Sequence, residues 1–247
     1  MTTVLFIHGF PFDHLMWRHQ VAALSGWRVI APDLRGAGAA LGPSAPDEYS
    51  MAGYADDLIA LLDGMHVQQA VVCGLSMGGY IIFELLRRFP ERVGAVILCN
   101  TKAEADTPDA KRGRDALAAR ARRDGALAVA DEMIPRLLSP ATQKQRPDVV
   151  REVREMIGRQ SVTGVAGALH ALRERPDSTA VLDRIAVPTL VVAGDDDVIA
   201  PANGMKQMAE VIPDAEFVLV PGAGHLTPLE QPLVVNAAVA AFLEKLG

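Results

Sequence analysis

Residues 70–88, AVVCGLSMGGYIIFELLRR, decide the fold. Val71-Val72-Cys73 is a short apolar run that reads as a buried strand. Gly74-Leu75-Ser76-Met77-Gly78 follows, and then a helical pattern that stops near Pro90. So sharp a passage from strand to helix forces the middle residue into strained backbone space and lifts the Ser76 hydroxyl above the strand end. Glycine at 74 and 78 removes the Cβ atoms that would hold strand and helix apart. The first helix amides favour negative charge beside Ser76. A chance serine in a glycine-rich loop is the plain alternative. The flanking strand and helix argue against it, as do the partners found further along the chain.

Working outward, similar apolar runs recur at 4–7, 28–31, 93–98, 189–193 and 216–220. They lack the alternation of half-exposed strands, as expected for strands covered on both faces. Helical patterns separate them, near 15–24, 50–66 and 232–246, with Ser50 placed to cap the second. Strands alternating with helices imply an α/β fold with a parallel sheet between two layers of helices. From Thr101 to about Arg184 no strand is convincing. Helical segments near 109–123, 127–138, 148–159 and 162–173 are punctuated by proline and glycine. This stretch is expected to leave the sheet as a helical cap. The domain division is then 1–100 with 185–247 as the core, and 101–184 as the cap. In open α/β sheets ligands bind beyond the carboxyl ends of the strands. Ser76 and both stems of the excursion leave from those ends, so the cap is expected to lie over Ser76.

Composition narrows the partners. The chain has 247 residues, half of them hydrophobic, and a formal net charge of −6. An acidic balance argues against nucleic acid or an anionic membrane as the main partner. The basic cluster from Arg112 to Arg123 is interleaved with Asp115 and alanines and reads as a solvated helix face. Cys73 and Cys99 each sit in an apolar run and read as small buried hydrophobes, compatible with a reducing compartment. No signal peptide is evident, and no apolar stretch approaches the about 20 residues of a membrane span. These features lead to the expectation of a soluble cytoplasmic protein acting on a small molecule.

A serine hydroxyl is a poor nucleophile alone. It needs a base at hydrogen-bond distance, and the base needs an orienting carboxylate. Val191-Val192-Ala193-Gly194 is a strand end followed by Asp195-Asp196-Asp197. Val218-Leu219-Val220-Pro221 is the next, followed by Gly222-Ala223-Gly224-His225. Serine, aspartate and histidine thus arrive in that order, each just after a strand. The aspartate run has no histidine or cysteine beside it, which argues against a metal site. Gly36-Ala37-Gly38 follows a strand, but Pro43 and Pro46 prevent the helix that would complete a pyrophosphate site. No cofactor and no metal is expected.

HGFPFDHLMW, GLSMGG, GDDDVIAP and GAGHLTPLEQP together resemble the α/β-hydrolase superfamily, over roughly 4–100 and 189–247. The resemblance implies an α/β-hydrolase fold, here with about six parallel strands because nothing but three residues precedes Val4. It places Asp197 as the acid beside His225, with Asp196 as the rival, and Ser76 as nucleophile. It implies an oxyanion hole from the backbone amides of Met77 and Phe10. His8 is expected to brace the Gly9-Phe10 loop. The usual D-x-R-G-H-G-x-S loop appears as Asp33-Leu34-Arg35-Gly36-Ala37-Gly38-Ala39-Ala40, lacking its histidine and serine. The implied activity is a carboxylesterase. The cap is only about eighty residues and should leave a compact pocket, so short acyl esters are expected to be preferred. Small 3-oxoadipate enol-lactonases share the GFP…MW and G-x-S-M-G-G segments, so lactone hydrolysis is the nearest alternative. A cofactor-free perhydrolase and a non-turnover ligand sensor are further ones. A basic pocket residue would favour acidic substrates, and the cap offers Arg136, Arg154 and Arg159.

Overall fold

The computed structural model describes residues 2–247. Strand β1 (Thr3–Ile7) leads through α1 (Arg18–Ala23) to β2 (Arg28–Ile30), then through α2 (Met51–Gly64) to β3 (Ala70–Leu75). Helix α3 (Met77–Arg88) connects β3 to β4 (Val93–Cys99). The chain then runs through α4 (Pro108–Asp124), α5 (Ala126–Leu137), α6 (Pro140–Gln145), α7 (Pro147–Gly158) and α8 (Val162–Arg173). It returns as β5 (Thr189–Gly194), α9 (Ala202–Val211), β6 (Glu216–Val220), α10 (Thr227–Glu230) and α11 (Pro232–Glu244).

The six strands form one sheet in the order β2-β1-β3-β4-β5-β6, and every pairing is parallel. Strands β1, β3 and β5 are buried along their whole length, and β4 at every residue but Gly94. That is why their sequences are unbroken apolar runs. The edge strands β2 and β6 are partly exposed and correspondingly carry Arg28 and Glu216. Cys73 and Cys99 lie buried in the two central strands.

Between β4 and β5, three of the five helices start on side-chain caps, α4, α6 and α8. Thr107, Ser139 and Ser161 each accept the amide three residues on, and Pro108, Pro140 and Pro147 occupy first-turn positions. Such positions suit proline because the missing N–H has no helical partner there. Gly125, at φ 82°, separates α4 from α5.

Three local departures from the sequence reading have physical causes. The stretch read as one helix over 15–24 begins instead as a 3₁₀ turn at His14–Trp17, capped by Asp13, and becomes α-helical only at Arg18. Trp17 is drawn inward against Phe6, with ring centroids 4.9 Å apart, and this packing tightens the turn. Helix α6 is too short to show a period. Helix α9 was not anticipated, since its buried stripe is only Met205, Met208 and Ala209 around an interior Gly204.

Candidate active site

Ser76 sits between β3 and α3 with φ 54° and ψ −109°. A non-glycine residue there is strained, and such strain persists only where the surroundings over-determine it. They do so here. The Ser76 amide donates to the Cys99 carbonyl at 2.9 Å, and the Ser76 carbonyl accepts from Gly79 N at 2.9 Å and from Thr101 Oγ1 at 2.8 Å. A Cβ on Gly74 would stand 2.5 Å from the Gly78 carbonyl carbon, and one on Gly78 would stand 2.3 Å from Ile7 O. Only glycine allows the two elements to meet. From Ala70 through Leu85, Ser76 is the one residue that is not buried.

Of the three consecutive aspartates, Asp197 is turned inward and Asp195 and Asp196 are exposed. His225 Nδ1 lies 2.8 Å from Asp197 Oδ2, with both residues buried. The other Asp197 oxygen accepts the amides of Ile199 at 2.8 Å and Ala200 at 3.0 Å. Burial pushes the Asp197 carboxyl upward. The His225 charge and hydrogen bond, with the Ala200 amide and Asn100, outweigh it and hold the group below its ordinary value. Ser76, His225 and Phe10 line one cavity of about 340 Å³, roofed by Leu117, Met133, Arg136, Leu137 and Leu172 from the helices between β4 and β5.

The loop after β1 is braced as its sequence suggests. His8 is buried and its ring spans two backbones: Nδ1 donates to Gly9 O at 2.9 Å, and Nε2 accepts Leu34 N at 2.9 Å. Those partners fix a neutral tautomer, and burial lowers the imidazole pKa in the same sense. A Cβ on Gly9 would lie 3.0 Å from Leu75 O, so this loop passes close beside the turn carrying Ser76. Phe10 and Met77 both border a small void of about 20 Å³ next to it.

Two residues escaped the sequence reading. Asn100, buried at φ 46°, donates from Nδ2 to Asp197 Oδ2 at 2.8 Å and to Gly224 O at 3.2 Å, and accepts Thr227 Oγ1 at 2.6 Å. Glu230 receives the amides of Ser139 at 2.8 Å, Gly224 at 2.9 Å and Leu226 at 3.2 Å, clasping the His225 loop against the turn after α5. Burial pushes its carboxyl up, against these donors. The His225 amide itself donates to Leu137 O at 2.9 Å. The available signal was a polar residue closing an apolar strand in one case, and in the other a glutamate five residues after a histidine.

The three arginines from the helices between β4 and β5 part ways. Arg136 borders the cavity, Arg154 pairs with Asp131 on the surface, and Arg159 binds the buried Asp13 of the core through Nε at 2.7 Å and Nη2 at 2.9 Å. Asp13, His14 and Asp33 bring ligand-type atoms within 4.8 Å of one another. Their oxygens are already engaged, by Arg159, Gln160 and Leu15 N on Asp13, and by His14 and Ala39 N on Asp33.

Residues 2–232 match the family described as the alpha/beta hydrolase fold. The chain is an α/β-hydrolase. Among solved structures, this α/β-hydrolase is similar to a thermophilic esterase from Thermogutta terrifontis with malate bound. The two share 42% identity over all of this chain and 90% of the other, with a TM-score of 0.96. It is also similar to the enol-lactonase from Burkholderia xenovorans, at 30% identity over 98% and 91% of the two chains and a TM-score of 0.90. By sequence it is 34% identical to 3-oxoadipate enol-lactonase 2 from Acinetobacter baylyi, over 93% of this chain and 84% of that one. No helix among the described residues is long and apolar enough to cross a membrane.

Proposed function

We propose that this α/β-hydrolase cleaves small carboxylic esters through an acyl-enzyme on Ser76. The carrying observation is the buried Asp197–His225 hydrogen bond, opening on the same cavity as a strained, backbone-pinned Ser76. Ser76 Oγ attacks the ester carbonyl carbon, and its proton passes to His225 Nε2. Asp197 holds the ring with Nδ1–H directed at itself and stabilises the imidazolium. The Phe10 and Met77 amides receive the oxyanion. Collapse breaks the bond to the leaving oxygen, which takes the His225 proton as the alcohol departs. Water then attacks the acyl-enzyme, gives one proton to His225, and the acid leaves as Ser76 recovers its own. No step calls for a metal or a cofactor.

A cavity of about 340 Å³ lies at the small end of ligand sites, which supports short acyl groups. The malate bound to the Thermogutta esterase supports a compact ligand here too. The enol-lactonase relatives favour a second reading of the same chemistry, in which the leaving alcohol stays tethered to the acyl chain. The test is repeated turnover of p-nitrophenyl acetate in the presence of EDTA. Many turnovers per chain are expected, with a loss of about 10⁴–10⁶ in kcat for Ser76→Ala at unchanged melting temperature. A single turnover would instead indicate a ligand sensor, and wild-type rates in Ser76→Ala would remove the serine from the reaction.

A further inference from the structure

Six charged side chains line the cavity shared by Ser76 and His225. All three acids are matched. Asp106 is held by Arg114 at 3.1 Å and Arg175 at 2.7 Å, Glu132 by Arg120 at 2.7 Å, and Asp109 by Arg112. Two of the three cations are not. Among the described residues, neither Lys102 nor Arg136 has a carboxylate within 4 Å. The cavity therefore holds two cations without an ion-pair partner, and each is tied by its neighbour to one half of the site. Lys102 follows Thr101, whose hydroxyl binds the Ser76 carbonyl. Arg136 precedes Leu137, whose carbonyl takes the His225 amide.

The two cations differ in what they lack. Lys102 is half-buried. Loss of hydration and the nearby Arg175 pull its pKa below the ordinary lysine value, with Asp106 and Glu104 opposing. A charge partly stripped of water and left unpaired is unfavourable, and an incoming anion relieves it. Arg136 is exposed at the rim and brings the flat, two-pronged donor geometry that matches a carboxylate. A wholly neutral ester would leave both as they are.

We propose that the substrate carries a free carboxylate besides the bond that is cleaved, and that Lys102 and Arg136 receive it. This rests on the hydrolase reading of Ser76 and names the substrate class: half-esters of dicarboxylic acids, or lactones bearing an acid. Lys102 is the primary contact and Arg136 closes the rim.

Two substrates that differ only in one methyl group test it: monomethyl succinate and dimethyl succinate, followed by titration of released acid. In the wild type, kcat/KM is expected to be at least about tenfold higher for the half-ester, after halving the diester rate for its two equivalent ends. Lys102→Gln and Arg136→Gln are each expected to lower that ratio by about tenfold, chiefly through the half-ester KM. A wild-type ratio of one or below, or a ratio unmoved in both variants, overturns the carboxylate site while leaving the hydrolase intact. A second readout does not need turnover. Succinate should raise the melting temperature of Ser76→Ala, and adding Lys102→Gln should abolish the shift. That result without any ester hydrolysis by the wild type would uphold the anion site and sink the hydrolase reading. No shift in either protein counts against the anion site.

Discussion

The Ser76 half of the candidate site and the His225 half are held by different physics. Ser76 is fixed chiefly by main chain: a positive φ, two glycines that admit backbone at van der Waals limits, and backbone hydrogen bonds to the end of β4 and the start of α3, with one side-chain bond from Thr101. His225 and Asp197 also make backbone bonds, with Leu137 and with Ile199 and Ala200, but they depend in addition on side chains, with Asn100 and Glu230 as buried polar struts. A backbone-built element fails through steric clash. A strut-built element fails through lost hydrogen bonds and misdirected charge.

The sharpest break lies in the His225 half. Asp197→Asn preserves shape but favours the wrong histidine tautomer, and kcat is expected to fall about 10⁴-fold. Asp195→Asn and Asp196→Asn should each cost less than about tenfold, since their side chains face solvent. Steady-state kinetics of the three variants on one ester decide it. Near wild-type rates for Asp197→Asn would move the acid elsewhere.

The Ser76 half breaks next, and through stability. Gly78→Ala forces a Cβ against the Ile7 carbonyl, which belongs to a central strand and has little room to yield. A loss of about 2–3 kcal/mol is expected, visible as a lower denaturant midpoint with an unchanged slope. A fully stable variant would show that the turn at Ser76 is looser than its contacts imply.

Removing one strut should cost less. Asn100→Gly keeps the positive φ comfortable but deletes the donor to Asp197, so kcat should fall about 10–100-fold with KM within about twofold. Asn100→Ala should add a stability loss of about 1 kcal/mol from backbone strain alone. If both variants lose stability but retain kcat, Asn100 is structural and no more. The smallest effect is expected where neither kind of support operates. Arg154→Gln breaks an exposed pair with Asp131 and should shift stability by less than about 0.5 kcal/mol.

The same contrast explains what was legible in the sequence. A backbone device must be written in glycine and local order, so Gly74-Leu75-Ser76-Met77-Gly78 could be read directly. The parallel sheet was equally open, because strands buried on both faces leave unbroken apolar runs. Struts leave no such trace. Asn100 is 97 positions from Asp197 and 127 from Thr227, and any polar residue at the end of β4 would look the same in sequence. The arginines between β4 and β5 were ambiguous for a related reason. Helical spacing fixes which residues share a face but not what that face meets, so Arg136, Arg154 and Arg159 separated only once the helices were packed.

His8 gives the fold a sensitivity to acid. Its Nε2 must stay unprotonated to accept the Leu34 amide, so a second proton would set donor against donor inside the core. Burial lowers the folded-state pKa, with Asp33 and Asp13 opposing. The unfolded chain therefore takes up this proton first. The stability that His8 supplies is complete above about pH 6.5 and drains away as pH falls through the folded-state value. Unfolding free energies measured from pH 7 down to pH 5 should carry that slope, and His8→Asn should flatten it. A slope unchanged in the variant would assign the acid response to other groups. The link from β1 to the Asp33–Ala40 loop is thus a latch that holds in neutral solution and weakens in acid.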